Sequence, residues 1–67
     1  MRFITIETKY DGSIAINADN ITSVQESTNS ILIYLSGDTP ITTRFTTIAS
    51  AVDYIQRAST LSLTQGV

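Results

Sequence analysis

Between Arg2 and Lys9 apolar and polar positions alternate, with Ile4 and Ile6 on one face and Phe3, Thr5, Glu7 and Lys9 on the other. A period of two is the mark of a half-buried strand. Asp11-Gly12 follows as a hairpin turn, and Ser13 to Asn17 alternates again through Ile14 and Ile16. A two-residue loop would set those isoleucines beside Lys9 and Glu7. A three-residue loop of Tyr10, Asp11 and Gly12, with Gly12 left-handed, pairs Thr8 with Ile14 and Ile6 with Ile16 and makes one isoleucine face. A slip of one residue would turn every side chain over, so the pattern favours the three-residue loop.

Ala18-Asp19-Asn20 is a tight bend by residue type. Ile21 to Glu26 is extended again, but Ile21 and Val24 lie three apart, which asks for either a bulge or a short helical turn. After the polar turn Ser27-Thr28-Asn29-Ser30 comes Ile31-Leu32-Ile33-Tyr34-Leu35, apolar on both faces. Such a run reads as a central strand flanked on both sides, because at an edge it would invite aggregation. Ser36 to Thr39 turns the chain, and Pro40 is tolerated at the start of a last strand from about Ile41 to Phe45.

The period then changes. Ile48, Ala51, Val52, Ile55 and Ala58 recur at helical spacing, opposite Ser50, Asp53, Gln56 and Arg57. Thr47 or Thr46 is the N-cap, and Asp53 precedes Arg57 by one turn in the favourable order for an ion pair. A helix from about 48 to 59 results, followed by a 60–67 tail that is either a short strand or frayed. The expected fold is α+β: an antiparallel meander of four to five strands, about 2–45, with one C-terminal helix packed on one face. The expected core is Ile4, Ile6, Ile14, Ile16, Ile33, Val52 and Ile55.

Composition sharpens this picture. The chain has 67 residues, enough for one domain, with 42% hydrophobic and 15% charged residues. Low charge and ample apolar content oppose disorder. Threonine (11), serine (8) and isoleucine (10) dominate, and two of the three are β-branched, which agrees with a mainly β chain. No apolar run approaches the roughly 18 residues of a membrane span, and the start of the chain lacks the basic and apolar regions of a signal peptide. The expected setting is therefore the cytoplasm, without a membrane.

The chemistry on offer is narrow. Without His or Cys the chain can build no zinc finger, thiol nucleophile, imidazole base or disulfide. Asp11, Asp19 and Asp38 sit in turns, where aspartate serves local backbone hydrogen bonds. Glu7 and Glu26 lie on strands with nothing to mark them as an acid–base pair. Any Ser or Thr nucleophile would have only Lys9 as its base. None of the three glycines has the spacing of a phosphate loop. Asn17, Asp19 and Asn20 lack the glycine and the distal glutamate of a calcium loop. These residues give no catalytic residue, metal site or cofactor.

Interaction is what remains. Four cations against six acids, a net charge of −2, disfavour duplex binding. Phe3, Tyr10, Tyr34 and Phe45 on strands could stack bases, yet packing explains them as well. Phe3, Lys9, Tyr34, Arg44 and Tyr54 are the candidate interaction residues. One helix cannot cover both faces of a four- or five-stranded sheet, which leaves Phe3, Leu32 and Tyr34 on an open face. A homo-oligomer, most simply a two-fold dimer, would bury it.

The series Glu7-Thr8-Lys9-Tyr10-Asp11-Gly12, Ile16-Asn17, Ile21-x-x-Val24-x-Glu26 and Ser30-Ile31-Leu32-Ile33-Tyr34-Leu35-Ser36-Gly37 resembles the small FlbD-like proteins encoded with bacterial flagellar genes. It is similar, more loosely, to the strand core of LytTR-type DNA-binding domains. Lys9 stands for the family's arginine and Asp11 for its asparagine. Arg44-Phe45-Thr46 replaces its closing strand motif, and the spacing from Gly12 to Ile16-Asn17 is one residue short. The resemblance implies a small regulatory protein of sheet plus helix and brings no catalytic residues. The expected function is a non-enzymatic regulatory or interaction protein that binds another macromolecule, with a protein partner. The alternative is a sheet-based binder of single-stranded nucleic acid or nucleotides, in which an oligomer would gather Lys9, Arg44 and the aromatics.

Overall fold

The structure is a computed structural model that describes residues 2–65, the side chains of 60–65 excepted. Five antiparallel strands in two sheets are followed by a C-terminal helix, an α+β fold. Strands β1 (Phe3–Glu7) and β2 (Ser13–Asn17) form a hairpin in which Ile4 faces Ile16 and Ile6 faces Ile14. The isoleucine face is the one the alternation requires. The register differs from the three-residue loop by two positions, which keeps that face while lengthening the loop to Thr8–Gly12. The reason is Thr8. Its amide donates to the Gly12 carbonyl at 2.7 Å, and its hydroxyl accepts from the Asp11 amide at 2.9 Å, so it closes the loop instead of pairing with Ile14. Gly12, at φ 73°, supplies the left-handed residue that this closure needs.

A 3-10 turn at Ala18–Asn20 leads into the second sheet. The Asn17 Oδ1 accepts from the amides of Asp19 (3.0 Å) and Arg2 (3.3 Å), fastening the start of β1 to this bend. Strands β3 (Ile21–Ser27), β4 (Ser30–Leu35) and β5 (Ile41–Thr43) lie in the order β3-β4-β5. The apolar strand β4 is thus flanked on both sides. The register shifts between Ile21 and Ser23, so the irregular spacing of Ile21 and Val24 is a bulge. Pro40 precedes the first residue of β5, where no ladder donor is lost. β5 is shorter than expected. It stops at Thr43, because the Thr43 hydroxyl accepts from the Phe45 amide at 3.3 Å and bends the chain away.

An isolated bridge between Thr8 and Thr43 joins the sheets, with Lys9 N–H donating to Thr42 O at 3.0 Å and Arg44 N–H to Glu7 O at 3.1 Å. The hairpin therefore folds over the three-stranded sheet. Ile4, Ile6 and Ile16 pack directly on Ile33, and Ile14, Val24, Ile41 and Phe45 close around them. The expected antiparallel meander with one C-terminal helix is the observed fold; what changes is that its strands divide into two sheets, so no single five-stranded face is left open. The two sheets cover each other, so Phe3 lies on the outside of one, while Leu32 and Tyr34 are half-buried on the outside of the other.

Helix α1 runs from Ile48 to Gln65, six residues past the expected end at Ser59. Its first turn is capped by Thr47, whose hydroxyl accepts from the Ser50 amide at 3.0 Å. The expected tail is helical as far as Gln65, and residues 66 and 67 lie outside those described. α1 packs across β1 and β3. Ala51, fully buried, leads its inner stripe, with Ile55 and Ala58 half-buried against the core. Val52 is not a core residue. It is half-buried beside the stripe, because the helix is turned to bring Ala51 closest to the sheets. Ile31, 1% exposed, belongs to the interior and was hidden by its place in a run apolar on both faces.

Candidate interaction surface

Two adjoining grooves open where β1 leaves β2 and meets β5. The first, about 390 Å³, is lined by Thr5, Glu7, Arg44, Phe45 and Tyr54. Its shape follows from the fold on either side. Past Thr43 the chain turns off, so only Glu7 at the end of β1 and Thr8 and Lys9 after it pair with Thr42 to Arg44, and the stretch before Glu7 faces the helix instead. Tyr54 fills that gap. Its hydroxyl donates to the Thr5 carbonyl oxygen at 2.5 Å, and its ring lies 5.6 Å from that of Phe45 at an interplanar angle of 45°. A tilted aromatic pair at this separation is a favourable contact and presents an apolar wall.

The second groove, about 460 Å³, is more polar and shares Arg44 and Phe45 with the first. Lys9, Glu26, Asn29 and Ser30 are among its other lining residues. Lys9 and Arg44 arrive there through the bridge hydrogen bonds that flank Thr8 and Thr43. The Lys9 ammonium donates to the Asn29 carbonyl at 2.8 Å and the Ser30 hydroxyl at 2.9 Å. The Arg44 Nε donates to the Thr8 carbonyl at 3.0 Å. Neither cation meets a carboxylate among the described residues. The other two do: Arg2 lies 3.8 Å from Asp19, and Arg57 lies 3.1 Å from Asp53.

Lys9, Arg44 and Tyr54 thus come together at one surface, within one chain. Phe3 and Tyr34 line neither groove; Phe3 is 57% exposed at the start of β1, and Tyr34 sits on the far side of β4. Phe45, which with Arg44 is common to both grooves, was legible as an aromatic but not as part of this surface, because the expected last strand ran on to it. Among the described residues no three acidic side chains gather as a metal site would require, and no helix is long and apolar enough to cross a membrane. No family model, curated protein or solved structure matches the chain.

Proposed function

We propose that this is a small non-enzymatic interaction protein, regulatory in role, which binds a protein partner through the adjoining grooves at the β1–β5 seam. The observation that carries this reading is the pairing of an aromatic wall, Phe45 against Tyr54, with two cations that meet no carboxylate among the described residues. Aromatic and arginine side chains are the residue types that dominate binding energy at protein interfaces. The order of turns and strands that resembles the FlbD-like proteins supports a regulatory role in the same way. Self-association through the exposed Phe3 belongs to the same proposal, as does a cytoplasmic setting.

A binder of single-stranded nucleic acid is the alternative, and one observation favours it: Lys9, Arg44 and Phe45 already converge in one chain, without an oligomer. Against it stand Glu7 and Glu26, which line the same two grooves and would repel a phosphate backbone. Affinity capture from the native host with the natural protein and with Arg44→Gln separates the readings. A polypeptide retained by the natural protein and lost by the variant, in nuclease-treated extract, is the expected result. Micromolar binding of oligonucleotides that weakens steeply with salt would overturn it.

A further inference from the structure

The two grooves differ in chemistry, and the difference defines an occupant. Arg44 is common to both, and its guanidinium is held in orientation from one side only, by the Nε contact to the Thr8 carbonyl. Its two terminal nitrogens make no hydrogen bond among the described residues. An anchored guanidinium with a free outer edge is suited to a carboxylate, which it can meet with two parallel hydrogen bonds. Lys9, held on a carbonyl and a hydroxyl, adds a second positive charge to the same cleft without neutralising it. Beside Arg44 the Phe45–Tyr54 wall offers an apolar slot of about 390 Å³, in the size range that takes one side chain or a small ligand.

Resting on the proposed function, we infer that the partner presents an acidic segment whose carboxylate is held by Arg44 and Lys9 while a neighbouring apolar side chain enters the slot walled by the Phe45–Tyr54 pair. Charge selects this occupant over a polyanion. Lys9 and Arg44 face the cleft while Glu26 lines it and Glu7 lines the slot, so the lining charges balance: a carboxylate can pair directly with the guanidinium, whereas a run of phosphates meets no net positive field. A neutral peptide would leave Arg44 and Lys9 without an anionic partner. A purely acidic one would leave the aromatic slot empty.

The test is an NMR titration of the full chain with four probes. They are a capped peptide with one phenylalanine and two glutamates in a serine background, its glutamine counterpart, its counterpart with serine for phenylalanine, and oligothymidylate. The expected result is a saturable shift of the Thr5, Arg44, Phe45 and Tyr54 amides with the first peptide. Binding should be about five- to tenfold weaker for each altered peptide and similarly weaker for Arg44→Gln. Equal binding of the glutamine peptide, shifts that map elsewhere, or no shift at millimolar peptide would overturn the inference. So would tighter binding of oligothymidylate, or movement of the same amides on concentrating the protein alone, which would give the surface to a second copy. If acid dependence is absent while the Arg44-dependent capture of a polypeptide succeeds, only the acidic-segment inference falls. The peptide comparison needs no substitution in the protein, so a variant that folds poorly does not decide it.

Discussion

Thr8 and Thr43 meet across the bridge that joins the two sheets, and both are buried, at 5% and 1% exposure. A buried hydroxyl is tolerated only when its hydrogen bonds are made inside the protein. The Thr43 hydroxyl donates to the Ile31 carbonyl at 2.7 Å and accepts from the Phe45 amide; the Thr8 hydroxyl donates to the Gly12 carbonyl at 2.5 Å and accepts from the Asp11 amide. Each threonine thus ends one strand pairing and begins another. The seam they form is also what carries Lys9 and Arg44 to the surface.

The two hydroxyls should not be equally costly to remove. Thr43→Val keeps the shape but strips the Phe45 amide and the Ile31 carbonyl of a partner in the interior, a loss of about 1–3 kcal/mol. Thr8→Val should cost less, because the Gly12 carbonyl still accepts from the Thr8 amide and Asp11 is exposed to water. Urea denaturation of both variants measures the difference. A Thr43→Val protein as stable as the natural one would show that the hydroxyl does not hold the seam.

The core predicts a second contrast. Ile33 is fully buried at the junction of the sheets, so Ile33→Ala should cost about 2–5 kcal/mol, enough to unfold much of so small a domain. Val52→Ala, at a half-buried position outside the central cluster, should cost distinctly less. Ala51→Leu should be more damaging than Val52→Ala, because extra carbon at a fully buried position forces about 1–3 kcal/mol of repacking. At roughly 4–8 °C in melting temperature per kcal/mol, thermal unfolding by circular dichroism resolves the order. Equal effects at Val52 and Ile33 would place the helix in a different rotation.

These contrasts mark where the sequence is legible and where it stops. The paired faces of Ile4, Ile6, Ile14 and Ile16 follow from period-two alternation, and so does the helix over Ile48 to Ala58 from its own period. A register slip of two leaves both facts unchanged, which is why the hairpin's face could be read while its loop could not. The loop length depends on Thr8 giving up β2 for a residue of β5 far along the chain, and alternation carries no trace of that exchange. The candidate surface was legible to the same degree. Lys9, Arg44 and Tyr54 stand out by type, but their meeting depends on β5 ending at Thr43, a tertiary event. The open face expected of one sheet was divided for a similar reason: the hairpin covers the inner face of the other sheet, which leaves Phe3 on one outside and Leu32 and Tyr34 on the other.

Tyr54 offers a test of how the groove is built. Tyr54→Phe deletes the hydroxyl on the Thr5 carbonyl but keeps the ring against Phe45. At this exposed site the hydrogen bond should contribute about 0.5–1.5 kcal/mol at most, since water can replace it. Tyr54→Ala removes the wall as well and should cost more, with a change in the Phe45 ring resonances. If the phenylalanine and alanine variants melt together, the aromatic contact contributes nothing and the groove is not rigid.

Self-association is the last expectation, and the fold moves its seat. With the two sheets covering each other, the large apolar side chains left most exposed among the described residues are Phe3 at 57% and Tyr10 at 80%, one on β1 and one in the hairpin loop. Both belong to the hairpin, so a two-fold contact would bring hairpin to hairpin. A net charge of −2 offers little repulsion against such a contact. Linkage then makes stability depend on concentration, since burying Phe3 in a partner stabilises only the folded state. Sedimentation equilibrium of the natural protein should give a mass above the 7.3 kDa of one chain at high micromolar concentration, with Phe3→Ser shifting it toward the monomer. A monomer at every concentration, with melting indifferent to dilution, would leave Phe3 as an ordinary exposed residue.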